Sequence, residues 1–164
     1  MQAEIANETY KNLFAKSFLF KDLCRGFLRM IALKIKPILF LKYQVIVRRG
    51  DVKRQMVYIH RGMLQVLSEE DDETPVALLQ DGKIIGEVGL IMDVPSTATI
   101  RSATNSDLCI LEKSDLQSVL MHYPESEYRR AMLLYNTSGI FFNLTVYLIV
   151  FVCVLTYTHP PHAH

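Results

Sequence analysis

The chain is expected to fold as an α+β domain: a β-roll, or jelly-roll-like antiparallel barrel, of about eight short strands with flanking helices. Three observations lead there. The 164 residues, 50% hydrophobic and 21% charged, suffice for one domain with a sizeable core. From Ile38 onward, helical spacing gives way to short apolar runs separated by turn residues, as in a sandwich or barrel. Between two late runs, Gly86-Glu87-Val88-Gly89-Leu90-Ile91-Met92-Asp93-Val94-Pro95-Ser96-Thr97-Ala98-Thr99 concentrates backbone amides, a carboxylate and hydroxyls in a turn-helix-turn.

Each element has a local reason. Gln2 to Phe20 reads as a helix whose apolar side carries Ile5, Tyr10, Leu13 and Phe14. Arg25 to Lys36 reads as a second helix: Phe27, Leu28, Ile31, Ala32 and Ile35 form one stripe, and Pro37 closes it. Strands are expected at Ile38 to Leu41, Val45 to Arg48, Val57 to His60, Met63 to Leu67, Val76 to Leu79, Ile84-Ile85, Ala98 to Ser102 and Leu108 to Leu111. Arg49-Gly50-Asp51, Arg61-Gly62 and Asp81-Gly82 supply turn glycines. Glu69 to Glu73 is read as a solvated hairpin tip, since it lacks the ligand spacing of a calcium loop. Ser114-Asp115-Leu116-Gln117 has the form of a capping box, with Leu116, Val119 and Leu120 behind it facing the core. Tyr123-Pro124 ends that helix, and Glu125 to Leu134 begins another that Asn136 to Gly139 interrupts.

Composition narrows the function classes. Eighteen Lys and Arg against 17 Asp and Glu leave no charge excess to draw the chain to nucleic acid or anionic lipid. Cys24, Cys109 and Cys153 lack metal-site spacing and sit among apolar residues, where a thiol packs as a small hydrophobe. Met1 is not followed by a secretory pattern. His60 and His122 have no partner at ligand spacing, so neither a metal site nor a catalytic centre is expected.

The stretch from Gly86 to Thr99 resembles the phosphate-binding cassette of cyclic-nucleotide-binding domains. Further motifs extend the resemblance over most of the chain: Leu19-Phe20-Lys21-Asp22, Leu33-Lys34-Ile35-Lys36-Pro37, Arg49-Gly50-Asp51-Val52, Arg61-Gly62-Met63-Leu64-Gln65-Val66, Leu79-Gln80-Asp81-Gly82, Ser106-Asp107-Leu108 and His122-Tyr123-Pro124-Glu125-Ser126. Within that family the chain looks most like the cytoplasmic domain of cyclic-nucleotide-gated cation channels, and Ala3-Glu4-Ile5-Ala6 resembles the linker from the pore. Kinase regulatory subunits share the Gly86-to-Pro95 spacing. Bacterial transcription factors would add a helix-turn-helix after the roll, and none follows Leu134.

What the resemblance implies about the pocket can be set against the chemistry of the residues. Gly86 lets the backbone approach a phosphate, the amides of Glu87, Val88 and Gly89 open a helix that favours an anion, and Glu87 accepts the ribose 2′-hydroxyl. The family's phosphate-clamping arginine falls at Ser96, and a hydroxyl cannot replace a guanidinium. Arg101, an odd number of residues from Ser96, points to the other face of a strand. Thr97 stands where channels carry a threonine associated with cGMP preference.

These readings imply a non-enzymatic regulatory module without a cofactor, whose ligand is cAMP or cGMP, weakly held. Its partners would be the channel pore, its linker and other channel subunits, on the cytoplasmic side of a membrane. Residues 1–20 are expected to form a linker-like helix, 21–135 the binding domain and 136–164 an apolar tail. Within the tail, Ile140 to Tyr157 is uncharged and reaches about 27 Å as a helix, barely spanning length. Two alternatives are a ligand-free domain that assembles channel subunits and a tail-anchored membrane protein with the roll as a cytosolic head.

Overall fold

The computed structural model describes residues 10–17, 19–20 and 23–123. Two of its strands, β3 (Gln55–Arg61) and β8 (Ser106–Glu112), are apolar on both faces, and this sets the architecture. Met56, Tyr58, Cys109 and Leu111 belong to a core shared with the helices, whereas Val57, Ile59, Leu108 and Ile110 belong to a second core facing the other sheet. A strand covered on both sides reads as a continuous apolar run rather than an alternation.

The remaining strands are β1 (Lys36–Phe40), β2 (Val45–Val47), β4 (Met63–Leu67), β5 (Pro75–Gln80), β6 (Ile84–Ile85) and β7 (Ile100–Ser102). All eight expected strands form, within a few residues of their expected bounds. They make two four-stranded antiparallel sheets, ordered β1-β8-β3-β6 and β2-β7-β4-β5. The second sheet turns Ile46 and Leu64 inward, backed by Leu79 and Ile100. Gly50, Gly62 and Gly82 all take positive φ, as their turns require.

Three helices cover the outer face of the first sheet. The segment 10–16 is helical (α1) and buries Tyr10, Leu13 and Phe14, three of the four residues expected on its apolar side; Ile5 lies outside the described residues. Phe20 follows, and α2 (Arg25–Ala32) adds Phe27 and Ile31 to the same core. α3 (Lys113–Leu120) closes it with Leu116 and Val119, and Tyr123 stacks edge-on against Phe27 at 5.5 Å.

Several local expectations are corrected. α2 stops at Ala32 rather than Lys36, because Leu33 and Lys34 donate to the carbonyls of Arg29 and Ile31 and close the last turn. Pro37 then lies inside β1 instead of ending a helix, on an edge strand where its missing N–H costs little. Ser114 does not cap α3: the helix already starts at Lys113, with an extended Glu112 at its cap and no side-chain bond there. The helix also ends at Leu120, before Tyr123-Pro124. Cys24 is exposed, contrary to its apolar sequence neighbourhood, while Cys109 is buried and burial pushes its thiol pKa up, keeping it neutral.

The acidic hairpin tip is exposed but ordered by its own carboxylates. Asp71 accepts from the amides of Glu73 and Thr74 and from the Thr74 hydroxyl, which together bring its pKa down to about 2. Asp72 accepts from Arg49 and Thr99, folding the tip back toward β7. Cys153, the segment from Glu125 and the tail 136–164 lie outside the described residues.

Candidate functional site: the cassette between β6 and β7

The chain leaves β6 through Gly86, whose φ of +75° turns it into the one-turn 3-10 helix Glu87–Leu90. Two glycines let this turn lie flat on the backbone at the start of β3 and just before it. A side chain at Gly86 would meet the Gln55 carbonyl at 2.7 Å, and one at Gly89 would land on the Lys53 carbonyl. Both glycines therefore have a reason in packing, quite apart from any ligand. Leu90 and Ile91 bury on the helix-side core and anchor the turn from below.

Glu87 is half-buried at the start of this turn, and its carboxylate is not simply solvated as a helix-start acid would be. Its Oε1 accepts a hydrogen bond from the hydroxyl of Ser17, which lies just past α1 and is fully buried. The Ser17 hydroxyl also accepts from the Leu19 amide at 3.3 Å. Val88 is half-buried and Gly89 buried, so the first four expected site residues form a single continuous turn.

The second half of the cassette is held from another direction. Pro95 bridges to Val52, the Ser96 amide donates to the Asp51 carbonyl at 2.8 Å, and the Gly50 amide donates to the Ser96 carbonyl at 2.8 Å. The Ser96 hydroxyl donates to the Ala98 carbonyl at 2.9 Å, within its own turn. Thr97 is exposed in the bend before β7. Arg101 is engaged elsewhere: its Nε donates to Gln65 at 2.9 Å and its guanidinium stacks over Tyr43, and since β7 begins only at Ile100, the strand alternation expected from Ser96 to Arg101 does not apply across the bend. These partners, together with the Glu73 carbonyl at 3.3 Å, hold the guanidinium where it is.

Between the halves, Asp93 binds Arg54 through two 2.9 Å bonds and Lys113 through a third of 2.9 Å. These two cations hold its carboxyl near pKa 2. An open cleft of about 550 Å³ lies beside this cluster, lined by Val52, Arg54, Gln55, Glu112, Lys113 and Gln117 among others. It adjoins the back of the cassette and includes none of Gly86, Glu87, Ser96 or Thr97. Among the described residues, no three His, Cys, Asp or Glu side chains gather as metal ligands. Sequence reasoning missed Ser17 altogether, since a serine at the end of an amphipathic helix carries no pattern that points seventy residues ahead.

A two-layer roll with a glycine-opened, glutamate-bearing turn between β6 and β7 defines a class, and the comparisons name it. The cyclic nucleotide-binding domain family matches residues 37–123, and the chain belongs to that family. It is 35% identical over 133 residues to the chicken cyclic nucleotide-gated channel cone photoreceptor subunit alpha, covering 77% of this chain and 18% of that one. To the human cyclic nucleotide-gated channel alpha-3 it is 34% identical, covering 77% and 19%. The chain thus spans about a fifth of the length of these curated relatives. Among solved structures, a cyclic nucleotide-binding-like protein of Brucella abortus superposes with a TM-score of 0.64 at 17% identity, over 70% of this chain and 98% of the other. The regulatory domain of Toxoplasma gondii PKA with cAMP gives 0.63 at 24% identity, over 71% and 45%. Among the described residues no helix is long and apolar enough to cross a membrane; 140–157 lies outside them.

Proposed function

We propose that this chain is a non-enzymatic regulatory module of a cyclic-nucleotide-gated cation channel, on the cytoplasmic side of the membrane, that takes cAMP or cGMP weakly. The observation that carries the ligand reading is the half-buried carboxylate of Glu87 at the start of the glycine-opened cassette turn. In this reading Gly86 lets the backbone approach the phosphate, the amides of Glu87 and Val88 face it while that of Gly89 closes the turn onto the Gly86 carbonyl, Glu87 accepts the ribose hydroxyl, and Ser96 and Thr97 close the phosphate end. The similarity to channel subunits supports the channel context and the other subunits as partners. Ligand would act by population shift, favouring one arrangement of the helices around the roll. The domain would run from 21 to 135 between a linker-like segment at 1–20 and an apolar tail at 136–164 that contacts membrane or partner.

Weak affinity follows from Ser96. Loss of one partner from a buried charge pair costs ~2–5 kcal/mol, on the order of thirty-fold to several thousand-fold in affinity. Calorimetry of the chain with cAMP and cGMP tests this: binding well above micromolar Kd is expected, and Ser96→Arg should tighten it. Submicromolar binding by the unmodified chain, or no gain in the arginine variant, would contradict the reading. A ligand-free subunit-assembly role is the second reading, favoured by the satisfied Ser96 hydroxyl, and it predicts no heat with either nucleotide in either form.

A further inference from the structure

A buried hydroxyl outside the roll reaches the carboxylate on which the ligand reading depends. Ser17 is fully buried, and its amide donates to the Leu13 carbonyl at 3.0 Å, closing the last turn of α1. Leu13, Phe14 and Phe20 around it are buried in the helix-side core, and Lys16 next to it donates to the Gly82 carbonyl at 3.3 Å in the β5–β6 turn. The end of α1 is therefore fixed against the two turns that flank β6. A serine hydroxyl has one proton to give. Here that proton goes to Glu87 Oε1, while a lone pair takes the Leu19 amide, so the hydroxyl has a set orientation.

We propose that Ser17 is a positioning residue for Glu87, fixing the rotamer in which its carboxylate meets the sugar hydroxyl of a cyclic nucleotide. The inference rests on the reading of the cassette as a nucleotide site. Its physical basis is preorganisation. A carboxylate accepts up to about four hydrogen bonds, so the Ser17 donor helps to orient it without saturating it. Removing that donor loosens the carboxylate and leaves more of its ordering to be done when ligand arrives, which lowers affinity by about threefold to tenfold. The effect is confined to ligands that use the carboxylate.

The experiment is calorimetry of the full chain with cGMP and with 2′-deoxy-cGMP, in the unmodified protein and in Ser17→Ala, repeated in a Ser96→Arg background where affinity is higher. Ser17→Ala should weaken cGMP about threefold to tenfold and leave 2′-deoxy-cGMP within about twofold. In a Glu87→Ala background, Ser17→Ala should change neither, because the residue through which it acts is gone. Equal weakening of both nucleotides would make Ser17 a packing residue only and overturn the proposal, as would undiminished cGMP binding. If neither nucleotide binds to the unmodified or the Ser96→Arg chain, the nucleotide reading itself has failed, and this role falls with it.

Discussion

The two halves of the cassette are held in place by different means. The first half, Gly86 to Leu90, is shaped by contact: two glycines press it onto the backbone at the start of β3 and just before it, Leu90 is buried below it and Ser17 holds its carboxylate. The second half, Pro95 to Thr97, is a backbone clasp on the Gly50–Asp51 turn, with a side-chain hydroxyl that serves only its own turn. The first half is therefore expected to tolerate little change, whereas substitution of the side chain at position 96 is expected to leave the backbone clasp in place.

The largest expected effect breaks the first half. Gly89→Ala puts a methyl group on the Lys53 carbonyl, a backbone atom that cannot swing aside, and overpacking of this kind costs about 2–3 kcal/mol. A melting temperature lowered by several degrees checks it; an unchanged one would mean that the cassette does not press on the backbone at Lys53. Next, Ser96→Arg should tighten cyclic-nucleotide binding by ~2 kcal/mol while changing the urea midpoint little, since the Ser96 backbone bonds remain. A large loss of stability in that variant would show the second half to be as constrained as the first.

A smaller effect separates ligand from fold at Glu87. Glu87→Gln keeps an acceptor for Ser17, so stability should move by less than ~0.5 kcal/mol, while a neutral amide in place of a carboxylate should cost about 1 kcal/mol in binding. Loss of stability without loss of binding would make Glu87 structural. The smallest effect concerns Asp93, which ties the cassette to Arg54 and Lys113. Its pKa of about 2 lies below the ordinary 3.8, so its pairing stabilises the fold fully above the ordinary value and is lost as pH falls through about 2. The gap in urea midpoint between the unmodified chain and Asp93→Asn should be modest at pH 6 and shrink steadily from pH 4 downward. A gap that stays constant over that range would mean that the carboxylate's charge contributes nothing.

The β-roll was legible in the sequence because its determinants are local. Val57 to Ile59 and Leu108 to Leu111 announce strands through unbroken apolar runs, and Gly50, Gly62 and Gly82 mark turns that only positive φ can make. The cassette was legible for the same reason, as a short segment whose glycines, acid and proline fall at characteristic spacings.

Other features depended on what each segment meets in space. The end of α2 at Ala32 was set by the closing bonds of Leu33 and Lys34, with Pro37 taken into β1, and α3 starts at Lys113 directly after β8, whose last residue Glu112 supplies its extended cap. The exposure of Cys24 was decided by which side of the chain turned to solvent, not by its neighbours in sequence. Gly89 against Lys53 and Ser17 against Glu87 are long-range contacts, separated by tens of residues, for which no spacing rule exists. Periodicity encodes which face of an element is apolar; which other element covers that face is decided by the packing of the whole core.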